Sequence, residues 1–372
     1  MRFKALLGLF VAAVLLGMVP TAWAAGDQKQ SGAQAEQLTL AKAVQRALNH
    51  SNALKKAELD VDKADDALVP ASGLWYVNYS PEAEAGILAA ESTHFAWQAA
   101  LKTYDAQRDS VIMGVYDKYY DVLVALRDVK AKELALAKAE RELGTVKALM
   151  SVGMAGKLAV DGAEAAVTGA RAALASSQAA LDNAYAALNQ LVGFAEDYRP
   201  VLADLPAYSP VTTDLNTYIL RALDDSPTVW TAVEAARFKE SIKNFAAPQG
   251  SGLQTVTDED AEKADLDAKT AKDATRLLVR SLYHGVKGLE EAYAAAEQGV
   301  KIAAENLRIT QLKYELGMAT KKDVAAAEAD LAAAEQKLFD LTAQHAYMKL
   351  ALEKPWAYLS VMSSSATSSS GP

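Results

Sequence analysis

The sequence predicts an all-α protein of long antiparallel coiled-coil helices in two tandem repeats, with little or no β-structure. Three observations lead to this prediction. Hydrophobic residues make up 51 % of the chain while aromatic residues make up only 7 %, and alanine dominates the apolar class. Alanine is the strongest helix former, and small side chains let helices approach closely. Apolar residues also recur at every seventh position, and this pattern occurs twice along the chain.

The N-terminus has the features of a secretion signal. Arg2 and Lys4 form a basic start, residues 5–19 form an apolar run, and Ala22-Trp23-Ala24 is a small-residue cleavage site. The alternative is a membrane anchor, but a spanning helix needs roughly 20 apolar residues. We therefore predict that residues 1–24 are a signal peptide, that the protein is exported, and that a flexible segment follows at 25–37.

Charge and composition exclude several classes of function. Cleavage of the signal removes two basic residues and takes the formal net charge from −9 to −11, which argues against binding to nucleic acid. The absence of cysteine excludes disulfides, thiolate metal sites and a lipid-modified N-terminal cysteine. The four histidines lie on separate segments without an i, i+4 partner, so we predict no metal site: His50, His94, His284 and His345.

An internal repeat organises the mature chain. Arg46-Ala47-Leu48 recurs as Arg221-Ala222-Leu223 at an offset of 175. Val152-Gly153-Met154-Ala155 recurs as Leu316-Gly317-Met318-Ala319 at an offset of 164. Large apolar residues hold one heptad register at this same offset, which indicates a coiled-coil seam in both copies. In the first copy the seam includes Val115, Val122, Val129, Leu136, Leu143, Met150, Val160, Val167, Leu174, Leu181 and Leu188. His345, equivalent to Leu181, is the polar member of the seam.

Helix-breaking and capping residues place the elements in order. Ser51 and Ser226 are predicted N-caps of short helices, and each short helix is followed by a link, a long helix, a Gly-Met-Ala turn and a medium helix. In each copy the short and medium helices together hold 55 residues, about 80 Å, while the second long helix spans about 90 Å. Two shorter helices stacked end to end are therefore long enough to line one long helix. The predicted boundaries are 38–199 for the first repeat, 200–211 for a proline-rich linker, 212–358 for the second repeat and 359–372 for a disordered Ser-rich tail.

This duplicated arrangement behind a signal peptide, opening with Leu38-Thr39-Leu40-Ala41-Lys42-Ala43, resembles the TolC family of outer-membrane efflux ducts. The resemblance covers 38–356 and rests on the order of caps, turns and lengths rather than on one specific motif. It implies a homotrimer whose helices form a hollow α-helical barrel. It also implies docking on a periplasmic adaptor (a membrane fusion protein) and an inner-membrane pump, with no cofactor.

The resemblance also assigns roles to residues at the two turns. It implies that Val152, Gly153 and Met154, together with Leu316, Gly317 and Met318, form the tip that contacts the adaptor; a turn without a partner is the alternative. The family often narrows this tip with acidic side chains six and nine residues after the second turn glycine. Asp323 and Ala326 occupy those positions. Asp323 is therefore predicted either to constrict the lumen or simply to cap its helix.

The links depart from the family, which crosses the outer membrane with two strands per copy. Spanning strands need roughly 9–11 residues each, and the first link, 69–80, and the second, about 245–257, are too short for a spanning hairpin. Trp75, Tyr76 and Tyr79 either contact a membrane interface or pack the first link onto the helices. The prediction is accordingly of shortened or missing barrel strands.

Two functions are consistent with these observations. The first is a passive exit duct of a tripartite efflux or secretion system in the outer membrane or periplasm. The second is a periplasmic spacer or scaffold that lost the barrel and does not transport. No phosphate loop, nucleophile elbow or dinucleotide fingerprint is present in the sequence, so we do not predict an enzyme.

Overall fold

The computed structural model describes residues 37–68, 81–243 and 256–368, which belong to one compact unit. The predicted signal peptide lies outside the described residues. The described chain is almost entirely helical, which confirms the all-α prediction. Its elements are β1 (Gln37–Leu38), α1 (Leu40–His50), α2 (Asn52–Asp66), α3 (Pro81–Ser151), α4 (Lys157–Val192), β2 (Val201–Leu202), α5 (Leu215–Asp225), α6 (Pro227–Lys243), α7 (Asp258–Glu315), α8 (Lys321–Glu353) and α9 (Pro355–Ser368).

The two predicted copies are α1 to α4 and α5 to α8. The Ser51 hydroxyl accepts a hydrogen bond from the Leu54 amide at 3.2 Å, and Ser226 accepts one from Val229 at 3.4 Å, so both predicted N-caps are confirmed. In the first copy α3 packs against α2 and α4, and in the second α7 packs against α6 and α8. The short and medium helices therefore line the long helix in both copies, as their lengths predict.

Three helices were not predicted. Thr39 caps α1 through the Lys42 amide, and Asp214 caps α5 through the Thr217 amide, so a further short helix precedes each predicted N-cap serine. The third, α9, extends to Ser368, although the sequence predicted a disordered tail from residue 359. Proline is favoured in the first turn of a helix, and Pro355 begins this one.

Buried polar contacts fix the start of α9. The Asp109 carboxylate, almost fully buried on α3, accepts hydrogen bonds from the Lys354 ammonium and from the Trp356 indole at 3.1 Å. Charge-assisted bonds to a buried carboxylate are stronger than bonds between neutral groups. They hold the segment that follows α8 against the middle of α3.

The core is concentrated at the end of the helices where α1, α5 and α9 pack. Val115, Val122, Val279 and Val286 of the predicted seam are fully buried there. Further along, Leu143 and Leu307 are only half-buried, and Met150 and Tyr314, the last seam residues before each turn, are exposed. Burial thus decreases towards the turns along α3 and α7, whereas Val160 and Val167, which follow the first turn on α4, are buried.

A short parallel pairing joins the start of the first copy to the segment that follows it. Gln37 pairs with Val201 and Leu38 with Leu202. The buried Tyr119 hydroxyl donates to the Leu38 carbonyl at 3.0 Å and accepts from the Asp204 amide at 3.0 Å. We call this arrangement the clasp. It fixes the N-terminal strand and the inter-repeat segment to one point on α3.

Candidate functional site

The two predicted turns are tight helix ends that require glycine. Gly153 has φ +77° and Gly317 has φ +72°, a left-handed conformation that side chains other than glycine rarely adopt. Met154 N donates to Leu149 O at 2.8 Å and Gly153 N donates to Met150 O at 3.0 Å, the hydrogen-bond pattern of a Schellman motif. No atom outside its chain neighbours lies within 4 Å of a Cβ added at either glycine. Backbone conformation, and not crowding, therefore explains both glycines.

The side chains beside these glycines form an exposed apolar surface. Val152 is 66 % exposed, Met154 76 %, Leu316 74 % and Met318 74 %. Single exposed apolar residues are common, but a cluster of them marks an interaction site. Methionine suits such a surface because its flexible, polarisable side chain adapts to a partner.

Both turns lie at the same end of the unit. The Lys322 ammonium, five residues after Gly317, lies 2.6 Å from a carboxylate oxygen of Glu142 on α3, about 16 Å along the helix before Gly153 at 1.5 Å per residue. Within the first hairpin, Lys147 pairs with Glu164 at 2.8 Å. The opening of α8 therefore packs beside the end of α3, and we call the end that carries both turns the tip.

Asp323 forms a capping box at the start of α8. Its carboxylate accepts a hydrogen bond from the Thr320 amide at 2.8 Å, and its own amide donates to the Thr320 hydroxyl at 3.3 Å. These bonds from Thr320 lower the pKa of the Asp323 carboxyl below its ordinary value. Capping, one of the two predicted roles, thus accounts for Asp323 within a single chain, and its role in a constriction stays a prediction about several copies.

Residues 87–194 match the family model described as outer membrane efflux protein. This range contains the first hairpin, from α3 through the Gly153 turn to the end of α4. Over these residues the chain is similar to the outer membrane efflux protein family. No curated protein matches the sequence.

Solved structures of outer-membrane proteins share this fold. The outer membrane protein VceC from Vibrio cholerae has a TM-score of 0.60 and 16 % identity, covering 86 % of this chain and 96 % of VceC. The outer membrane channel CmeC from Campylobacter jejuni has a TM-score of 0.61 and 14 % identity, covering 86 % and 85 %. The open-state channel MtrE from Neisseria gonorrhoeae has a TM-score of 0.51 and 17 % identity, covering 89 % and 94 %. Neither the family nor these structures are described as enzymes.

The other residues singled out in the sequence add less information. Trp75, Tyr76 and Tyr79 lie outside the described residues. Within 37–68, 81–243 and 256–368, no helix has both the length and the hydropathy needed to cross a membrane. Over the same residues, no group of three or more His, Asp or Glu is placed to hold a metal ion.

A polar cluster far from the tip was only partly predicted. Glu290 on α7 accepts hydrogen bonds from the Val211 amide at 2.6 Å and from the Lys287 ammonium at 2.7 Å. His345 is 0 % exposed, and its Nε2 lies 3.6 Å from Glu290 Oε1, just beyond hydrogen-bond distance. Its ring also lies against that of Tyr208, with centroids 4.8 Å apart. The heptad register identified His345 as polar, but Glu290 and Tyr208 carry no signal in the sequence that would place them beside it.

Proposed function

We propose that this protein is a passive exit duct of a tripartite efflux or secretion system in the cell envelope, assembled from three copies of the chain and without enzymatic activity. A periplasmic adaptor docks on its tip, and an inner-membrane pump supplies the driving force. The observation that carries the proposal is the duplicated hairpin, which ends in exposed apolar turns. Within one chain the first hairpin packs against the second through α3 and α8, and the equivalent faces of α4 and α7 stay uncovered near the tip.

The internal repeat supports a ring of identical chains. Within one chain α3 of the first copy packs against α8 of the second, with Lys322 beside Glu142. At the offset of 164, the equivalent positions are Leu158 on α4 and Asn306 on α7. Leu158 is 85 % exposed and Ile302, one turn before Asn306, is 62 % exposed. We infer that α7 of one chain packs against α4 of the neighbouring chain. This head-to-tail contact closes into a ring.

Paired cysteines test this assembly, since the natural chain contains none. Asn306→Cys with Leu158→Cys, treated with a short bifunctional thiol reagent in intact cells, is expected to crosslink neighbouring copies up to a covalent trimer. Glu142→Cys with Lys322→Cys is the matched control, because it places the equivalent pair within one chain and is expected to yield monomer alone. A monomer from the first pair, or a ladder continuing beyond three chains, would contradict the proposed ring.

The tip supports the adaptor contact, because exposed apolar side chains are anchors for a partner groove. Met154→Asp with Met318→Asp introduces charge at exposed positions and is therefore expected to preserve folding and the trimer. Co-purification of a periplasmic adaptor is expected to be lost. Leu59→Asp, at an equally exposed leucine on α2, is the control that should retain the adaptor. Equal retention by both variants would refute docking at the tip.

Fractionation tests the proposed location in the envelope. The exported protein is expected to sediment with outer membranes and to require detergent for release. Release by a high-salt wash alone would contradict a duct that ends at the outer membrane.

A further inference from the structure

A groove at the tip, between the end of α3 and the start of α8, carries a concentration of positive charge. It has a volume of about 440 Å³ and is lined by four basic side chains, Lys138, Arg141, Lys321 and Lys322, together with Glu142, Thr145 and Ala325. The protein as a whole is acidic, with a formal net charge of −9. The net charge of the groove is therefore opposite in sign to that of the whole chain.

Most of this positive charge has no partner within the described chain. Glu142 pairs with Lys322 at 2.6 Å. Among residues 37–68, 81–243 and 256–368, no ion pair within 4.0 Å is formed by Lys138, Arg141 or Lys321, whereas Lys147 and Arg171 of the same hairpin are paired. Like charges brought together without counter-charges repel one another, so this cluster lowers the stability of the isolated chain.

The start of α8 adds to the positive potential. Lys321 and Lys322 are its first two residues, where the helix dipole is positive and backbone amides point outward. The Asp323 carboxylate of the capping box offsets part of this potential, so the basic side chains supply most of it. An anion in the groove would therefore meet basic side chains and the helix terminus together.

The repeat shows that this charge is not a requirement of the fold. At the offset of 164, Ile302 replaces Lys138, Glu305 replaces Arg141 and Leu158 replaces Lys322. Three of the four basic positions of the groove are thus apolar or acidic at the equivalent points of the other repeat. Lys157 is equivalent to Lys321 and keeps its charge, so the concentration of four basic residues, rather than every one of them, is specific to this groove.

We propose that the groove binds an acidic helical segment of the partner that docks on the tip, with carboxylates spaced i, i+3 or i+4 to match Lys138 and Arg141. The inference rests on the proposed function and specifies the chemistry of its adaptor. The exposed turns at the tip supply apolar anchors, as the centre of an interface does. The charged groove selects and orients the partner, as the polar rim of an interface does. Lys138 and Arg141 lie three residues apart on one face of α3. Two carboxylates with the same spacing on a partner helix can therefore meet both side chains at once, which an isolated anion cannot do.

A peptide pair tests this inference on the purified, full exported chain. The probe is a short, labelled, alanine-rich helical peptide with glutamates at i and i+4, and its twin carries glutamines instead. Fluorescence anisotropy is expected to show that the glutamate peptide binds about tenfold more tightly than its twin, and that this preference decreases with added salt. Arg141→Gln with Lys321→Gln should remove the preference.

The control variant is Lys55→Gln with Lys56→Gln, which removes the same charge from exposed positions on α2 and is expected to leave the preference unchanged. Equal binding of the two peptides, or an equal loss in the control variant, would overturn the proposal. Displacement of the peptide by inorganic phosphate at a comparable concentration would also overturn it, because the groove would then be a site for small anions. The outcome is independent of the cysteine crosslinks above, so a failed groove and a failed trimer are distinguishable.

Discussion

Replacing His345 by leucine is expected to stabilise the protein, and to do so most strongly at mildly acidic pH. The imidazole is fully buried, and neither ring nitrogen has a hydrogen-bond partner among the described residues. A buried polar group without a partner costs about 1–3 kcal/mol. Loss of the ring contact with Tyr208 offsets about 0.5–1 kcal/mol of the gain. Glu290 keeps its bonds from Val211 and Lys287, so a net gain of about 1 kcal/mol is expected at pH 8.

The pH dependence follows from the direction of the shift in the pKa of His345. Burial lowers this pKa below its ordinary value of 6.5, and nearby Lys349 and Lys287 lower it further, against the opposing effect of Glu290. The unfolded chain therefore binds more protons than the folded chain between the two pKa values, and folding stability falls as the pH decreases below 6.5. The loss is at most about 1.4 kcal/mol per pH unit for one group. The His345→Leu variant lacks this loss, so its advantage over the natural chain should grow as the pH decreases.

Urea unfolding followed by circular dichroism at pH 8 and pH 5 measures both effects. His284→Leu, at an exposed histidine on α7, is the control, and its unfolding free energy is expected to change by less than about 0.5 kcal/mol. A His345→Leu variant that is less stable than the natural chain at pH 8 would contradict an unsatisfied buried imidazole. An equal difference between the two chains at both pH values would contradict the lowered pKa of His345.

Three further predictions concern the turns, the clasp and the docking of α9. Gly153→Ala and Gly317→Ala are each expected to destabilise the protein by about 1 kcal/mol in thermal melts, because alanine must adopt a positive φ. Gly144→Ala, within helix α3, should be neutral or stabilising, and a greater loss of stability in Gly144→Ala than in the turn variants would contradict the role of the turns. Tyr119→Phe is expected to cost about 1 kcal/mol, because the Asp204 amide loses its acceptor while the Leu38 carbonyl keeps its bond from the Ala203 amide. Tyr283→Phe at the equivalent position should cost less, and equal urea midpoints would argue against the clasp. Asp109→Asn is expected to cost about 1–3 kcal/mol through its lost charge-assisted bonds and to increase amide hydrogen exchange in α9. Asp105→Asn, at a half-buried position one turn earlier on α3, should do neither, and unchanged exchange in α9 would show that this helix is held by other contacts.

Local signals made much of the fold predictable. Ser51 and Ser226 cap helices because their hydroxyls reach amides three residues away, and Gly153 and Gly317 end helices because of their own backbone freedom. The heptad register identified the buried valines, since a seam is a periodic property of the sequence. Each of these features depends on residues that are close together in the chain.

Contacts between distant segments were not predictable in the same way. Asp109 meets Lys354 across 245 residues, and the heptad register gives no indication of this pair. The short helices α1 and α5 were missed because their capping residues, Thr39 and Asp214, precede only about three turns of helix, a weak periodic signal. At the candidate site, the sequence located both turns but not the unpaired charge of the groove, because this charge depends on α3 and α8 meeting.

The clasp also constrains the order in which the protein folds. Leu38 and its partner Leu202 are 164 residues apart, and the loop-closure entropy of such a pairing opposes its early formation. The hairpins consist of contacts between consecutive helices, which form faster than contacts across long stretches of chain. During synthesis from the N-terminus, β1 therefore has no strand partner until the whole first hairpin and the segment after it have been made. Protection of the Ala203 amide, which donates to the Leu38 carbonyl at 3.1 Å, thus reports the completion of the first repeat.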